Sequence, residues 1–378
     1  MPKFLQAVLI LSGMIIGAGM FGIPFSFARA GFWLGTAELV VLAGATLLIH
    51  TLYGEVVLKT GEYHRLPGYV AVYLGDRAKI LARASAIFGL SGTLLAYVIL
   101  GAVFLNAIFK NVWGGPGELG WAVAIMIAGA GVNLFPLKRE ALLNGILTAL
   151  LIGFIIVLIF LLFPGASLEN IGGWDVKNIF LPYGILLFAL SGGAVVPEVV
   201  TLLGKDRTRV RGAIFLGTLM PAVLYFFFAL AVVGVAGAGV SSEAISSLLP
   251  FVGDRVVLLG SVIGFLAVFT SFIVLNSNFQ AMLTLDFGFR PSRAWAAVSL
   301  IPPLLYFFGF QNFIVVIGAV GALGVGVDMA LLIAVYHKIQ KIAGIVSARS
   351  YLWKFLLYTM IAAGAVYALY DSMAYRFF

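Results

Sequence analysis

The chain of 378 residues has no cysteine, three histidines and little charge: Asp, Glu, Lys and Arg together make up 10% of it. Soluble globular proteins carry about 25% charged residues, so no soluble domain of any size fits here. Without cysteine there is neither a disulfide nor a thiolate site. Three scattered histidines do not make a transition-metal centre, and no cofactor is expected. No Ser-His-Asp, His-Glu-x-x-His or other ligand constellation falls at usable spacing, which argues against an enzyme. There is no short-period repeat and no low-complexity linker. Hydrophobic residues make up 62% of the chain, in long runs. Those runs lack the period-two alternation of barrel strands, which repeats over about 10 residues. The expected fold class is an all-α polytopic membrane protein.

A membrane span needs about 20 mostly apolar residues. Eleven such stretches are present, at 4–28, 32–58, 84–110, 119–137, 141–163, 179–203, 212–237, 255–285, 294–309, 311–337 and 352–371. The segment ahead of the first holds a single Lys, which is a poor secretory signal, so the first span is expected to be retained. With the N-terminus inside, only Arg29, Lys110, Lys177, Arg255 and Arg376 of the 23 Lys and Arg fall on outer segments. The rest, including Lys138, Arg139 and the run Lys205-Asp206-Arg207-Thr208-Arg209, fall inside. Cation bias of this kind sets orientation and places the C-terminus outside. It also accounts for the formal charge of +8 by topology and lipid headgroups, so the partner implied is the bilayer and not nucleic acid. Spans 1–5 and 6–10 occupy nearly equal lengths. Five is odd, so the second set starts on the opposite side of the membrane. The organisation expected is a first five-helix unit at 1–163, an inverted second unit at 179–337 and an additional helix 11 within 350–378, an arrangement used by secondary transporters. Helix 11 is expected to pack outside the ten-helix core.

Two of these spans are interrupted. The first contains Ser12-Gly13-Met14-Ile15-Ile16-Gly17-Ala18-Gly19-Met20-Phe21-Gly22-Ile23-Pro24, with no charge from Phe4 to Ala28. Glycine and proline are poor residues for an unbroken helix interior. A break strands backbone N–H and C=O groups where lipid cannot solvate them, and it is tolerated only where they are buried in protein or line a wet site. Glycines in membrane helices also simply permit close packing. The sixth span, at the corresponding place in the second unit, reads Phe188-Ala189-Leu190-Ser191-Gly192-Gly193-Ala194-Val195-Val196-Pro197-Glu198. Paired interruptions in the two halves point to a binding site between them.

The stretch Gly17-Ala18-Gly19-Met20-Phe21-Gly22-Ile23-Pro24 resembles the first-helix signature of the amino acid–polyamine–organocation transporter superfamily. The sixth-span break resembles that of its amino-acid/auxin permease and aromatic amino acid permease branches. Arg65-Leu66-Pro67-Gly68-Tyr69 with Tyr73-Leu74-Gly75 is similar to the inner loop after their second helix. The resemblance covers residues 1–340. It implies a LeuT-type fold with helices 1 and 6 broken, and transport of amino acids. The Asp-Pro-Gly-Asn motif of metal-transporting relatives is missing.

An amino acid is a zwitterion. Its carboxylate suits bare N–H groups at a helix N-terminus and its ammonium suits bare carbonyls at a C-terminus. The carboxylate is assigned to the amides of Ala18, Gly19 and Met20. The ammonium is assigned to the carbonyls of Ile16, Phe188, Ala189 and Ser191. Gly17, Gly19, Gly192 and Gly193 are expected to let the substrate approach, and Tyr97 either caps the carboxylate or is a packed aromatic. Neither break holds an ionisable side chain ahead of Glu198, and a lone charge there would be expensive, so the expected substrate has no net charge. The small residues leave volume for a large or aromatic side chain.

For the coupling ion, Ala267, Thr270 and Ser271 share one helix face. With the carbonyls of Gly13 and Ile16 they make a sodium-sized oxygen cage, similar to the second sodium site of LeuT-type symporters. Hydroxyls bonded back to the preceding turn are the plainer alternative. Proton-driven relatives often carry a Lys on helix 5, whereas Ala141 to Phe163 holds no charge. Sodium symport is therefore expected, with proton coupling or exchange as the alternative. Glu38, His50, Glu198 and Asp328 are either satisfied interior polar groups or proton carriers, and Glu55 is expected to pair with a loop Arg. An amino acid-sensing receptor without net transport is the reading from another functional class.

Overall fold

A computed structural model describes residues 2–134, 140–204, 206–345 and 348–377. Lys138, Arg139 and Lys205 lie outside the described residues. The described chain is all helical: α1 Lys3–Ile15, α2 Ile23–Ala30, α3 Phe32–Thr60, α4 Leu66–Leu74, α5 Asp76–Trp113, α6 Gly117–Val132, α7 Glu140–Leu162, α8 Leu181–Ala189, α9 Val196–Leu203, α10 Arg207–Ala236, α11 Leu249–Leu285, α12 Pro291–Phe307, α13 Phe313–Ala319, α14 Gly326–Ile342 and α15 Ala348–Phe377. A π-helical segment, Val320–Val325, joins α13 to α14.

Among the described residues, eight helical stretches are long and apolar enough to cross a bilayer, or nine when the bent pair α1 and α2 counts as one. The two other expected spans correspond to α6, with 16 residues, and α12, with 17. At a rise of 1.5 Å per residue these are about 24–26 Å long, somewhat short of a hydrocarbon core of about 30 Å. The segment after the second span is more ordered than the expected loop. It contains α4, and α5 starts at Asp76, so Arg77, Lys79 and Arg83 ride on a helix.

Local chemistry explains where the short helices begin. Pro24, Pro182 and Pro197 each stand in the first two positions of α2, α8 and α9, where a missing N–H costs nothing and φ is already helical. Asp206 caps α10 by accepting the Arg209 amide at 3.1 Å, and Asn312 caps α13 by accepting the Val315 amide at 3.1 Å.

Helix α10 runs beside both broken spans, packing on α1, α2 and α9. It is tied to α1 by the Ser12 hydroxyl, which donates to the Gly217 carbonyl at 3.2 Å. The long α5 lies on the other side, against α11, α6 and α13. Between them sit fully buried aromatics, with Phe21 and Phe104 edge to face at 5.1 Å. At one end of α10 the carboxylate of Glu55, buried on α3, is held by Arg207 at 2.6 Å and Arg211 at 2.8 Å. The expected pairing of Glu55 is present, made by two arginines in the first turns of α10.

Candidate substrate and cation site

Both breaks are real interruptions. Ile16 (φ −77°, ψ 99°) and Gly17 (φ −151°, ψ −156°) are extended. They separate α1 from a 3-10 turn, Ala18–Gly22, that leads into α2, and the two parts meet at 50°. In the sixth span α8 ends at Ala189 and α9 starts at Val196, with a 3-10 turn at Gly193–Val195 between them.

The two breaks lie against each other through reciprocal glycine contacts. A Cβ on Gly19 would stand 2.8 Å from the Ala189 Cα and from the Phe188 ring. A Cβ on Gly192 would stand 2.7 Å from the Ile15 side chain and 2.8 Å from that of Leu11. At the Gly19 crossing only hydrogen fits against the Ala189 backbone, whereas at Gly192 a methyl group would require the side chains of Ile15 and Leu11 to shift. These two glycines therefore admit the partner helix. The more open expected positions are Gly17, whose nearest neighbour is the Tyr97 hydroxyl, and Gly193, which faces Tyr53; both contacts would be 3.9 Å from an added Cβ.

The backbone ends differ in availability. The first bond of the 3-10 turn runs from the Met20 amide to the Gly17 carbonyl at 3.2 Å. The amides of Ala18 and Gly19 lie ahead of it and have no helical partner, and Gly17 supplies no side-chain cap. The Met20 amide, expected to join them, is already bonded. On the carbonyl side Phe188 accepts the Ser191 amide at 3.2 Å. Ala189 accepts the Tyr225 hydroxyl at 3.2 Å, and that same hydroxyl donates to Ile15 at 2.7 Å.

A small cleft opens beside the first break, with room for about one water-sized group. It is lined by Ile16, Gly17, Ala18, Thr148, Leu151, Ala267, Val268 and Ser271. Three residues of the expected sodium cage, Ile16, Ala267 and Ser271, come together here, while Gly13 and Thr270 are not in the lining. The Thr270 hydroxyl bonds back to the Leu266 carbonyl at 2.9 Å, the plainer alternative for that side chain. It also reaches the Asn144 carboxamide oxygen at 3.2 Å, which Ser271 reaches at 2.9 Å. The contributions of α7 to this cleft, Thr148 and Leu151, are uncharged. Among the described residues no three His, Asp or Glu gather into a metal-binding group.

Of the four other candidate ionisable groups, His50 and Asp328 have hydrogen-bond partners. His50 is hydrogen-bonded to Thr218 at 3.0 Å. Asp328, in the first turn of α14, accepts the Ser85 hydroxyl at 2.7 Å. One buried carboxylate oxygen of Glu38 has no hydrogen-bond partner. Glu198 stands exposed in the first turn of α9.

Sequence reasoning missed Tyr225, Asn144 and Thr148. Asn144 and Thr148 did leave a signal: two polar residues four apart, hence on one face, in an otherwise apolar span. Tyr225 left none, being one aromatic in a span rich in them.

The profile described as the tryptophan/tyrosine permease family matches residues 1–343. The chain is 25% identical over 244 residues to glutamine transporter 2 of Aliivibrio fischeri, covering 61% of either protein. It is 28% identical over 242 residues to tyrosine-specific transport system 2 of Haemophilus influenzae, covering 62% of this chain and 58% of that one. The match thus spans about three-fifths of the length of these two relatives. With the low affinity tryptophan permease of Escherichia coli K12 it is 23% identical over 344 residues, 83% of this chain and 82% of the permease. Among solved structures, MhsT in complex with L-phenylalanine superposes with a TM-score of 0.62 at 15% identity, over 96% of this chain and 98% of MhsT. Mhp1, a nucleobase-cation-symport-1 family transporter, gives a TM-score of 0.63 at 13% identity, over 98% and 92%. These two likenesses establish the LeuT-type fold, and the apolar helices together with the family match make the chain an integral membrane protein.

Proposed function

The chain belongs to the tryptophan/tyrosine permease family, and from that premise we propose that it is a secondary transporter carrying neutral, large or aromatic L-amino acids by alternating access. The carrying observation is the crossing of two broken helices, where the free amides of Ala18 and Gly19 lie beside the carbonyl ends of α1 and α8. A zwitterion needs both ends at once, and this crossing offers them without a buried side-chain charge. The relatives named above for glutamine, tyrosine and tryptophan all point to substrates of zero net charge. Transport, rather than chemistry, is what such a site can perform.

The coupling ion we propose is sodium, held in the cleft by the Ile16 and Ala267 carbonyls and the Ser271 hydroxyl, with Thr148 as a fourth oxygen. Supporting this, the lining is uncharged and oxygen-bearing, which suits a hard cation, and no ammonium occupies it. Proton coupling has one observation in its favour. Asp328 is bonded by Ser85 and has no ion-pair partner among the described residues. Carboxylates inside a membrane protein are functional candidates.

The remaining parts of the reading follow from the sequence. The units 1–163 and 179–337 are the two inverted halves, with helix 11 added at 350–378. The membrane is the inner membrane of a prokaryote, with the N-terminus inside and the C-terminus outside. The superfamily placement near the amino-acid/auxin and aromatic amino acid permease branches rests on the motif resemblance.

The test is uptake of labelled tryptophan, leucine, alanine and glutamine into proteoliposomes, with and without a sodium gradient. Sodium-stimulated accumulation, largest for tryptophan, is expected. Equal accumulation in sodium-free buffer at a fixed proton gradient overturns sodium coupling, and no accumulation under any gradient overturns transport.

A further inference from the structure

The C-terminal ends of α1 and α8 point their carbonyls at one place, and each helix end carries a partial negative charge. Two such ends repel unless a donor stands between them. The donor in this molecule comes from neither broken span. Tyr225 on α10 is fully buried, and its single hydroxyl donates to Ile15 at 2.7 Å and lies 3.2 Å from the Ala189 carbonyl. One proton cannot serve two acceptors fully, so the short bond to Ile15 is the one well made. Ala189 receives only the long arm and keeps most of its capacity to accept. Ala189 is also the residue against which Gly19 packs, next to the free amides of the first break.

We propose that Tyr225 is a positioning residue for the amine end of the substrate, fixing the Ile15 and Ala189 carbonyls at a set spacing and leaving Ala189 open to an ammonium donor. The assignment rests on the reading that an amino acid docks at this crossing. It implies that the amine pocket is preorganised before substrate arrives, by a helix that is not itself broken.

Tyr225→Phe removes the hydroxyl and keeps the ring. The readout is inhibition of labelled amino acid uptake by L-tryptophan and by indole-3-propionate, which differ only in the α-amino group. The wild type is expected to prefer tryptophan. In Tyr225→Phe that preference falls by about fivefold, the size of one neutral hydrogen bond, with inhibition by indole-3-propionate unchanged. Equal weakening of both ligands, as a merely structural role gives, overturns the proposal, and so does an unaltered preference. A wild type indifferent to both ligands and without uptake overturns the transport reading itself. If Tyr225→Phe does not accumulate in membranes, replacement of Tyr225 by 4-aminophenylalanine carries the test. Its two N–H donors reach both carbonyls, so a preference at or above that of the wild type is expected, and a lower one overturns the assignment.

Discussion

The two interrupted spans share a design and divide the work unequally. Each stops short, passes through a 3-10 turn and restarts on a proline-headed half-helix, α2 or α9. The first break carries the free amides and lines the small cleft through Ile16, Gly17 and Ala18. The second lines no part of that cleft. It supplies a carbonyl end and the surface on which Gly19 lies. Their packing also differs in kind. Gly19 faces the backbone of Ala189, which cannot step aside, while Gly192 faces the side chains of Ile15 and Leu11, which can rotate. The two breaks thus give one rigid contact and one compliant contact.

The largest expected effect tests that last difference. Gly19→Ala and Gly192→Ala add the same methyl group, and overpacking a tight site costs about 1–3 kcal/mol. Gly19→Ala is expected near the upper end of that range, with uptake lost, and Gly192→Ala near the lower end with uptake reduced. Thermal melting of the detergent-purified variants decides it, and equal costs would erase the distinction between the contacts.

Next come the hydroxyls beside the first break. Ser271→Ala is expected to raise the sodium concentration for half-maximal uptake about tenfold, equivalent to ~1.4 kcal/mol. Thr270→Val is expected to change it less, because the Thr270 hydroxyl is bonded to the Leu266 carbonyl and does not line the cleft. Sodium titrations of uptake rank the two, and the reverse order would place the ion on the Thr270 side.

The effects expected to leave uptake least changed lie at the end of α10, the helix on which both breaks lean. Glu55→Gln is expected to lower stability by about 1–2 kcal/mol, less than a wholly buried pair because both arginines are half exposed. Arg207→Gln or Arg211→Gln alone should cost less than Glu55→Gln, since the other arginine still holds the carboxylate. Chemical denaturation of the single variants and the double variant measures this. A cost for either arginine equal to that of Glu55→Gln would mean that the two are not interchangeable.

Much of this architecture was legible in the sequence because its signals are local. Gly17, Pro24, Gly192 and Pro197 are poor residues for a helix interior, and their matched placement pointed to the two breaks. The Ala267, Thr270 and Ser271 face follows from helical period alone. Contacts across the fold left no such trace. The face on which Tyr225 looks, and the two carbonyls it meets, depend on how α10 lies against α1 and α8. Which glycines admit a neighbour and which stay open was equally hidden, since Gly17 and Gly19 look alike in a sequence. The helices α4 and the early start of α5 were obscured by the five cations between Lys59 and Arg83, which read as a loop until their helical arrangement is seen.

The extended joint at Ile16 and Gly17 has a mechanical corollary. With no helical hydrogen bonds across it, α1 is a lever free to swing at that end, yet Ser12 and Ile15 fasten it to α10 through Gly217 and Tyr225. Any tilt of the lever must carry α10 along or surrender both fastenings together. In the proposed alternating-access cycle, opening toward that side of the membrane would therefore either move two helices in step or break both hydrogen bonds.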